Sequence, residues 1–245
     1  MSFPGVLKSL VLSCLCSACV LSCGLESSYY VDAPASAGSQ PSAGSADKAL
    51  HFFSFRTADD TSSGAFSYLG TEIYYRIYNN RSVMESREAA IESRDDASRR
   101  DALLGYGYKT LNLAGTAAPS PLIAKAGVYV YVRLADYNTA ISTDYKAVIC
   151  TASVPMTRYE STADLVGIPR RSVNAGYGFD FGMNSSNPLP AGSDADYSSS
   201  SATSAGTYYV DAYAVTVGED TSSASKSYSG TLFLGSVSIS TSDSF

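Results

Sequence analysis

Few residues of this sequence could perform covalent chemistry, and they do not form a catalytic set. A Ser-His-Asp arrangement would need His51, the only histidine, and no Gly-x-Ser-x-Gly elbow accompanies it. Cys150 ends the apolar run KAVIC, a context typical of a thiol that packs as a small hydrophobic side chain. Ser223 and Lys226 have the Ser-x-x-Lys spacing of acyl-serine enzymes, but they lie in a Ser-rich turn. We therefore expect that the protein is not an enzyme.

Metal chemistry is also poorly supported by the residue types. One histidine and one cysteine beyond the N-terminal leader cannot fill a zinc site. Calcium prefers loop carboxylates, and acidic groups occur at positions 59–60, 194 and 196, and 219–220. None of them has EF-hand spacing, and acidic residues that cap turns explain them better. We expect no metal and no cofactor.

Aromatic residues are the better candidates for binding. In TEIYYRIYN and GVYVYVRLA, tyrosines alternate with aliphatic residues, which is typical of half-buried strands with the tyrosines facing outward. The segment YGFDFG at 177–182 alternates aromatic and small residues, as a ligand platform or a bulged strand would. If they share an exposed face, six residues could contact a protein or glycan partner: Tyr74, Tyr78, Tyr129, Tyr131, Tyr177 and Phe179.

The N-terminus has the features of an export signal. Lys8 precedes an apolar stretch from Leu10 to Leu21, which is shorter than the roughly 20 residues that span a bilayer. Four of the five cysteines lie within the first 23 residues, so we expect no internal disulfide in the mature chain.

Val20-Leu21-Ser22-Cys23-Gly24 resembles a bacterial lipobox, in which the cysteine thiol receives lipid and cleavage occurs just before it. Leu21 departs from the usual Ala or Ser. Cys19 is an alternative lipid site, although a cysteine replaces the aliphatic residue of its motif. An ordinary secretory signal remains the other interpretation. Two or more acyl chains would anchor the protein stably, at about 0.8 kcal/mol for each buried CH₂ group.

Cleavage before Cys23 would leave 16 basic and 23 acidic residues, a formal charge of −7. This balance argues against nucleic acid and against electrostatic binding to anionic lipid. We therefore predict a signal peptide over 1–22 and an envelope protein whose membrane contact is the N-terminal lipid. The sequence leaves open whether it lies in the outer membrane or on the periplasmic face.

The remaining chain is predicted to be one mainly β domain. Residues 33–46, small and uncharged, indicate a flexible tether, so 23–48 is assigned as the acylated N-terminus and linker. From 49 to 245, period-2 segments separated by Gly-rich and polar turns predict an antiparallel β-sandwich. The Ser-rich stretch at 191–206 is interpreted as a long loop between strands.

One helical insertion interrupts this pattern near 82–104. The segment has no Gly or Pro, and Ser82 with Glu85 would form a capping box. We expect a single surface helix across an end or edge of the sheet. Its narrow apolar face comprises Met84, Ala90, Ile91 and Leu103.

Cys23-Gly24-Leu25-Glu26, the following Tyr29-Tyr30, and HFFSF before GTEIYYRIYNN together resemble uncharacterised lipoproteins of spirochaetes, in particular the Treponema type. TEIYYRIY also resembles a central strand of fibronectin type III or immunoglobulin-like domains. The resemblance implies an envelope location and a β-sandwich, and it brings no catalytic residues. The expected function is a non-enzymatic lipoprotein that binds a protein or glycan, or serves as a structural or antigenic surface module. The alternative is a substrate-capturing lipoprotein of a transport or envelope-assembly system, with a cleft between sheet and helix.

Overall fold

The computed structural model describes residues 31–115, 120–137, 146–160, 162–174, 176–182, 185, 187–202 and 204–242. The chain is mainly β, with 38% strand and 13% helix, which confirms the expected class. In chain order the elements are β1 (Ala35–Ser36), a 3-10 turn (Lys48–Leu50), β2 (Phe53–Arg56), β3 (Phe66–Tyr78), α1 (Arg81–Glu92), α2 (Asp96–Gly105), β4 (Lys109–Thr110), β5 (Asn112–Leu113), β6 (Tyr129–Arg133), β7 (Val148–Ala152), β8 (Asp164–Gly167), β9 (Pro169–Arg170), β10 (Tyr197–Ser198), β11 (Thr207–Asp220) and β12 (Ser225–Ser240).

The strands form two main sheets. The first sheet has the order β1-β2-β6-β7-β8, and all of its neighbours are antiparallel. The second has the order β10-β3-β11-β12, with β4 beside β3, and only its short β10–β3 pairing is parallel. Six segments of the sequence alternate with period 2, and each contributes a strand, because alternation places one residue set on a buried face: 49–56, 71–79, 127–135, 144–152, 207–217 and 228–240.

Both sheets contribute to one hydrophobic core. Phe53, Phe55, Val130, Val132 and Ile149 of the first sheet belong to the same buried cluster as Ile73, Ile77, Val210, Val237 and Ile239 of the second. Burying each such side chain stabilises the fold by about 1.5–3 kcal/mol relative to leaving it in water. The inward face of the alternating strands is therefore as the pattern predicts.

The helical insertion differs from the prediction in number and in place. Asn80, rather than Ser82, caps α1, since its side chain accepts a hydrogen bond from the backbone of Val83 at 3.2 Å. Asp95 caps a second helix, α2, by accepting from Ser98 N at 3.1 Å. Strong N-cap residues at both points explain why the segment folds as two helices.

The two helices cover the outer face of the second sheet, not its end or edge. Ile91 and Leu103 lie in a buried cluster with Tyr74 and Tyr213, and Met84 packs with Tyr78. The second sheet is therefore buried on both faces, by the first sheet on one side and by the helices on the other.

Residues 33–46, predicted to be a flexible tether, instead lie against both sheets. Strand β1 pairs with β2 of the first sheet, and Pro41 O accepts a hydrogen bond of 3.0 Å from Ser236 N in β12. Gly235 permits this approach, since a Cβ there would lie 2.5 Å from Pro41 O. Small residues indicated a segment with nothing to bury, but they also allow two backbones to come close. We call residues 33–46 the strap.

Candidate functional site

His51 and Cys150 are both buried in the fold. The His51 ring is buried, with Nδ1 3.0 Å from Ser238 O and Nε2 3.1 Å from Ser45 O. Burial and the charge of Lys48 lower its pKa, although the two carbonyls favour the protonated form. Cys150 is fully buried, and burial raises the pKa of its thiol to about 11. A thiol with that pKa is protonated near neutral pH and is a weak nucleophile.

Most of the loop carboxylates accept hydrogen bonds that stabilise turns, or form ion pairs with basic side chains of the protein. Asp60 accepts from Ser62 N at 2.8 Å, and Asp220 accepts from Ser222 N at 2.7 Å. Among the residues that the structure describes, no group of three or more His, Cys, Asp or Glu side chains could hold a metal ion.

Asp194 and Asp196 surround a buried arginine, Arg171, which no sequence pattern singled out. Arg171 has no exposed side-chain surface and contacts Asp196 and Asp194 at 2.7 Å each. Tyr75 donates a 2.5 Å hydrogen bond to Asp196 and accepts one from Ser172 N at 2.6 Å. The segment expected to be a long loop thus contributes an ion cluster and the short strand β10 to the fold.

The six predicted aromatic binding residues do not form one exposed surface. Tyr74, Tyr78, Tyr131 and Phe179 are at most 2% exposed, whereas Tyr129 and Tyr177 are half-buried. The helices cover Tyr74 and Tyr78, which explains why outward-facing tyrosines are buried. Tyr131 packs beside Cys150, and Phe179 packs on Tyr75 with ring centroids 5.1 Å apart.

Below the helices, buried tyrosines surround one carboxyl group. The Tyr108 hydroxyl donates a 2.5 Å hydrogen bond to Asp211 Oδ2, and Tyr78 donates to the Tyr108 hydroxyl at 3.1 Å. Asp211 is fully buried, and burial raises its pKa well above the usual range. Asp211 Oδ1 and the Tyr213 hydroxyl have no hydrogen-bond partner among the described residues.

An open groove lies beside this cluster, between α1, the strap and β12. Its volume is about 440 Å³. The spacing of Glu85, Glu88 and Glu92 puts their side chains on one face of α1. The opposite wall is formed by Gln40, Pro41, Ser42, Phe233 and Ser236. We call this cavity the acidic groove.

The carboxylates of the acidic groove are only partly neutralised. Arg81 pairs with Glu85 at 2.7 Å, and Arg99 lies 3.9 Å from Glu92 Oε2. Glu88 has no ion-pair partner within the described part of the chain. Partial burial, and then the charge of Glu92, raises the pKa of Glu88. The groove therefore carries negative charge, and the carboxylates of Glu88 and Glu92 are close enough to repel each other.

Sequence reasoning did not find the acidic groove, although two signals were present. One is the spacing of Glu85, Glu88 and Glu92, which places three carboxylates on one face of α1. The other is Asp211 within the apolar strand TYYVDAYAVTV. A carboxyl group in a strand that is buried on both faces must be hydrogen-bonded, paired with a cation, or neutral.

Comparisons with known proteins return no relative. No protein-family model matches the chain, no curated protein matches it, and no solved structure matches it. Within the described residues, no helix combines the length and apolar character needed to cross a membrane. Cys23 and Cys19, the predicted lipid sites, lie outside the described residues.

Proposed function

We propose that the protein is a non-enzymatic envelope protein, held in a membrane by lipid on Cys23 after removal of a signal peptide over 1–22. The observation that carries this proposal is the lipobox-like run Val20–Gly24 directly after a short apolar stretch. An anchor at Cys23 would be joined closely to the folded body, because Val31, eight residues further along the chain, is buried.

The strap gives this anchor a short reach. Eight residues span at most about 29 Å when fully extended. Residues 33–46 cannot lengthen that reach while they remain bound to the sheets. The body is therefore held close to the bilayer surface, and partners must approach it there.

For the body we propose a β-sandwich of the immunoglobulin or fibronectin type III kind, elaborated by the two helices. The shared core of the two sheets supports this architecture. Its role is to bind a protein or glycan partner, or to act as a structural or antigenic surface module. Tyr129 and Tyr177 are the predicted aromatic contacts that keep exposed surface.

A second candidate function is ligand capture for a transport or envelope-assembly system. The acidic groove favours this candidate, because it is a cleft between a sheet and a helix. Three glutamates line it, so a ligand would be recognised by charge.

The anchor is tested by replacing Cys23 with Ala in cells fed an alkyne-tagged fatty acid. We expect loss of the label and release of the protein from the membrane fraction. Cys14→Ala is the matched control, since it alters a cysteine of the same leader, and it should retain both properties. Persistent label and membrane retention in Cys23→Ala would contradict the anchor at Cys23, and Cys19→Ala would then show whether Cys19 carries the lipid.

A further inference from the structure

We infer that the strap is a releasable part of the chain between Cys23 and the folded body. The strap separates from both sheets, together with the two described residues before it, while the sheets and helices stay folded. Release lengthens the connection to Cys23 and removes one wall of the acidic groove. The change in reach rests on the proposed lipid anchor, whereas the release itself does not.

The strap buries few side chains. Among residues 31–46, all of which the structure describes, only Val31, Pro34 and Ala43 are buried. By contrast, Phe53 and Phe55 of β2, which follows the strap, belong to the core and are at most 1% exposed. A segment with few buried apolar contacts opens locally at a lower free energy than the core strands of the same protein. The strap is therefore expected to leave the sheets more easily than β2 does.

The strap is bound along the outer edges of two strands. Its strand β1 pairs with β2 over two residues, Ala35 and Ser36. Farther along, Ser236 N donates to Pro41 O at 3.0 Å, and Ala43 N donates to Ser236 Oγ at 3.1 Å. The other edges of β2 and β12 pair with β6 and β11. Release therefore removes only β1 from the sheets and leaves the other strand pairs intact.

The chain is held by buried side chains directly after the strap. Arg133 of β6 donates hydrogen bonds to Lys48 O at 2.9 Å and to Ala49 O at 3.0 Å. The His51 ring is buried and lies 3.0 Å from Ser238 O of β12. Because these contacts do not involve strap residues, they can persist when the strap leaves. They set the point at which release ends.

Release changes the reach of the proposed anchor. With the strap bound, the eight residues from Cys23 to Val31 extend at most about 29 Å. With the chain free as far as Lys48, the connection has 25 residues and extends at most about 90 Å. Its typical end-to-end distance as a flexible chain rises from about 16 Å to about 28 Å. The body thereby gains range from the bilayer without unfolding.

The same release alters the acidic groove. Gln40, Pro41 and Ser42 of the strap form part of the wall that faces the glutamates of α1. The groove is therefore complete only while the strap is bound. A ligand shifts a conformational equilibrium toward the state that it binds better. Any ligand that contacts this wall thus favours the bound strap and the short reach.

Amide hydrogen exchange of the full chain at pH 7 tests the release. The reporter is the Ser236 amide, whose acceptor Pro41 O belongs to the strap. The reference is the next amide, Val237, which the alternation of an antiparallel strand turns toward β11. We expect the Ser236 amide to exchange about a hundredfold faster than the Val237 amide. Low urea concentrations should leave the Ser236 rate unchanged, because local opening exposes little surface.

Equal exchange rates with the same urea dependence would show that the strap leaves only when the body unfolds, and would overturn the inference. Ser236→Ala removes the acceptor of Ala43 N, so the amide at position 236 should exchange several-fold faster than in the unaltered protein.

Ser225→Ala is the matched control, since Ser225 is exposed on the same strand and away from the strap. It should exchange like the unaltered protein. Equal acceleration in the two variants would contradict a hold through the strap contact. Failure of these measurements is distinct from failure of the anchor, since fatty-acid labelling of Cys23 does not depend on release of the strap.

Discussion

The Tyr108 hydroxyl donates a 2.5 Å hydrogen bond to Asp211 Oδ2 beneath the two helices, where neither residue is more than 1% exposed. Burial raises the pKa of this carboxyl group far above that of an exposed aspartate, and Glu88 adds to the effect. The unfolded chain, by contrast, holds an ordinary aspartate that ionises near pH 4. Folding therefore disfavours ionisation of the Asp211 carboxyl group relative to the unfolded chain.

Asp211→Asn should raise the free energy of unfolding at pH 7, because an amide retains the acceptor without an ionisable group. Urea denaturation at pH 7 and at pH 4 measures it. The gain should shrink at pH 4, where the unfolded aspartate is largely protonated. Asp211→Ala, which leaves the Tyr108 hydroxyl without its acceptor, should instead destabilise. A destabilised Asn variant at pH 7 would contradict a raised pKa for Asp211 in the folded state.

Removing Asp196 should destabilise the protein strongly. Asp196→Ala leaves the fully buried Arg171 without its innermost partner, a change that costs about 3–5 kcal/mol for buried ion pairs. Asp194→Ala is the matched control, since Asp194 is 20% exposed and water can replace it, so its loss should be smaller. Thermal unfolding measures both variants. Equal losses of stability in the two variants would contradict the assignment of Asp196 as the more important partner of Arg171.

Asp180 should make stability fall as the pH rises from about 4 to 6. Burial raises its pKa to about 6, so the folded state keeps this proton after the unfolded state has lost it. The linked loss is about 3 kcal/mol across that range. His51, whose pKa is lowered, contributes the opposite slope below pH 6.5. The difference between the protein and Asp180→Asn therefore isolates the Asp180 contribution.

Carbon NMR of the Asp180 carboxyl group checks this directly. A midpoint near 6 supports the account. A midpoint near 4, with parallel stability curves for the two proteins, would contradict it.

Gly235→Ala should loosen the strap. Gly235 has φ +96°, a conformation that favours glycine, and a Cβ would press against Pro41 O. We expect a loss of about 1–3 kcal/mol and faster proteolysis within 33–46. Gly230→Ala is the control on the same strand, since the nearest atom to its Cβ is 3.3 Å away. Unchanged cleavage in Gly235→Ala would show that the strap does not depend on this contact.

The strands could be predicted from the sequence because apolar residues at every second position indicate which side chains face the core, as those of Ile73 and Ile77 do. The burial of Tyr74 and Tyr78 could not, because tyrosine suits both an exposed face and a face covered by helices. The strap was missed for a related reason. Gly235 and the small residues around Pro41 allow two backbone segments to come close, and a hydropathy pattern does not reveal such a contact. The acidic groove depends on how α1 and the strap are placed beside β12, and no local pattern encodes that placement.

Mass spectrometry of the mature N-terminus tests the proposed lipid anchor at Cys23 most directly. The protein is extracted from membranes and digested, and the N-terminal peptide is identified. We predict a peptide that begins at Cys23 and carries lipid on that cysteine. An unlipidated N-terminus, or a chain that still begins at Met1, would contradict the proposed lipid-anchored envelope protein.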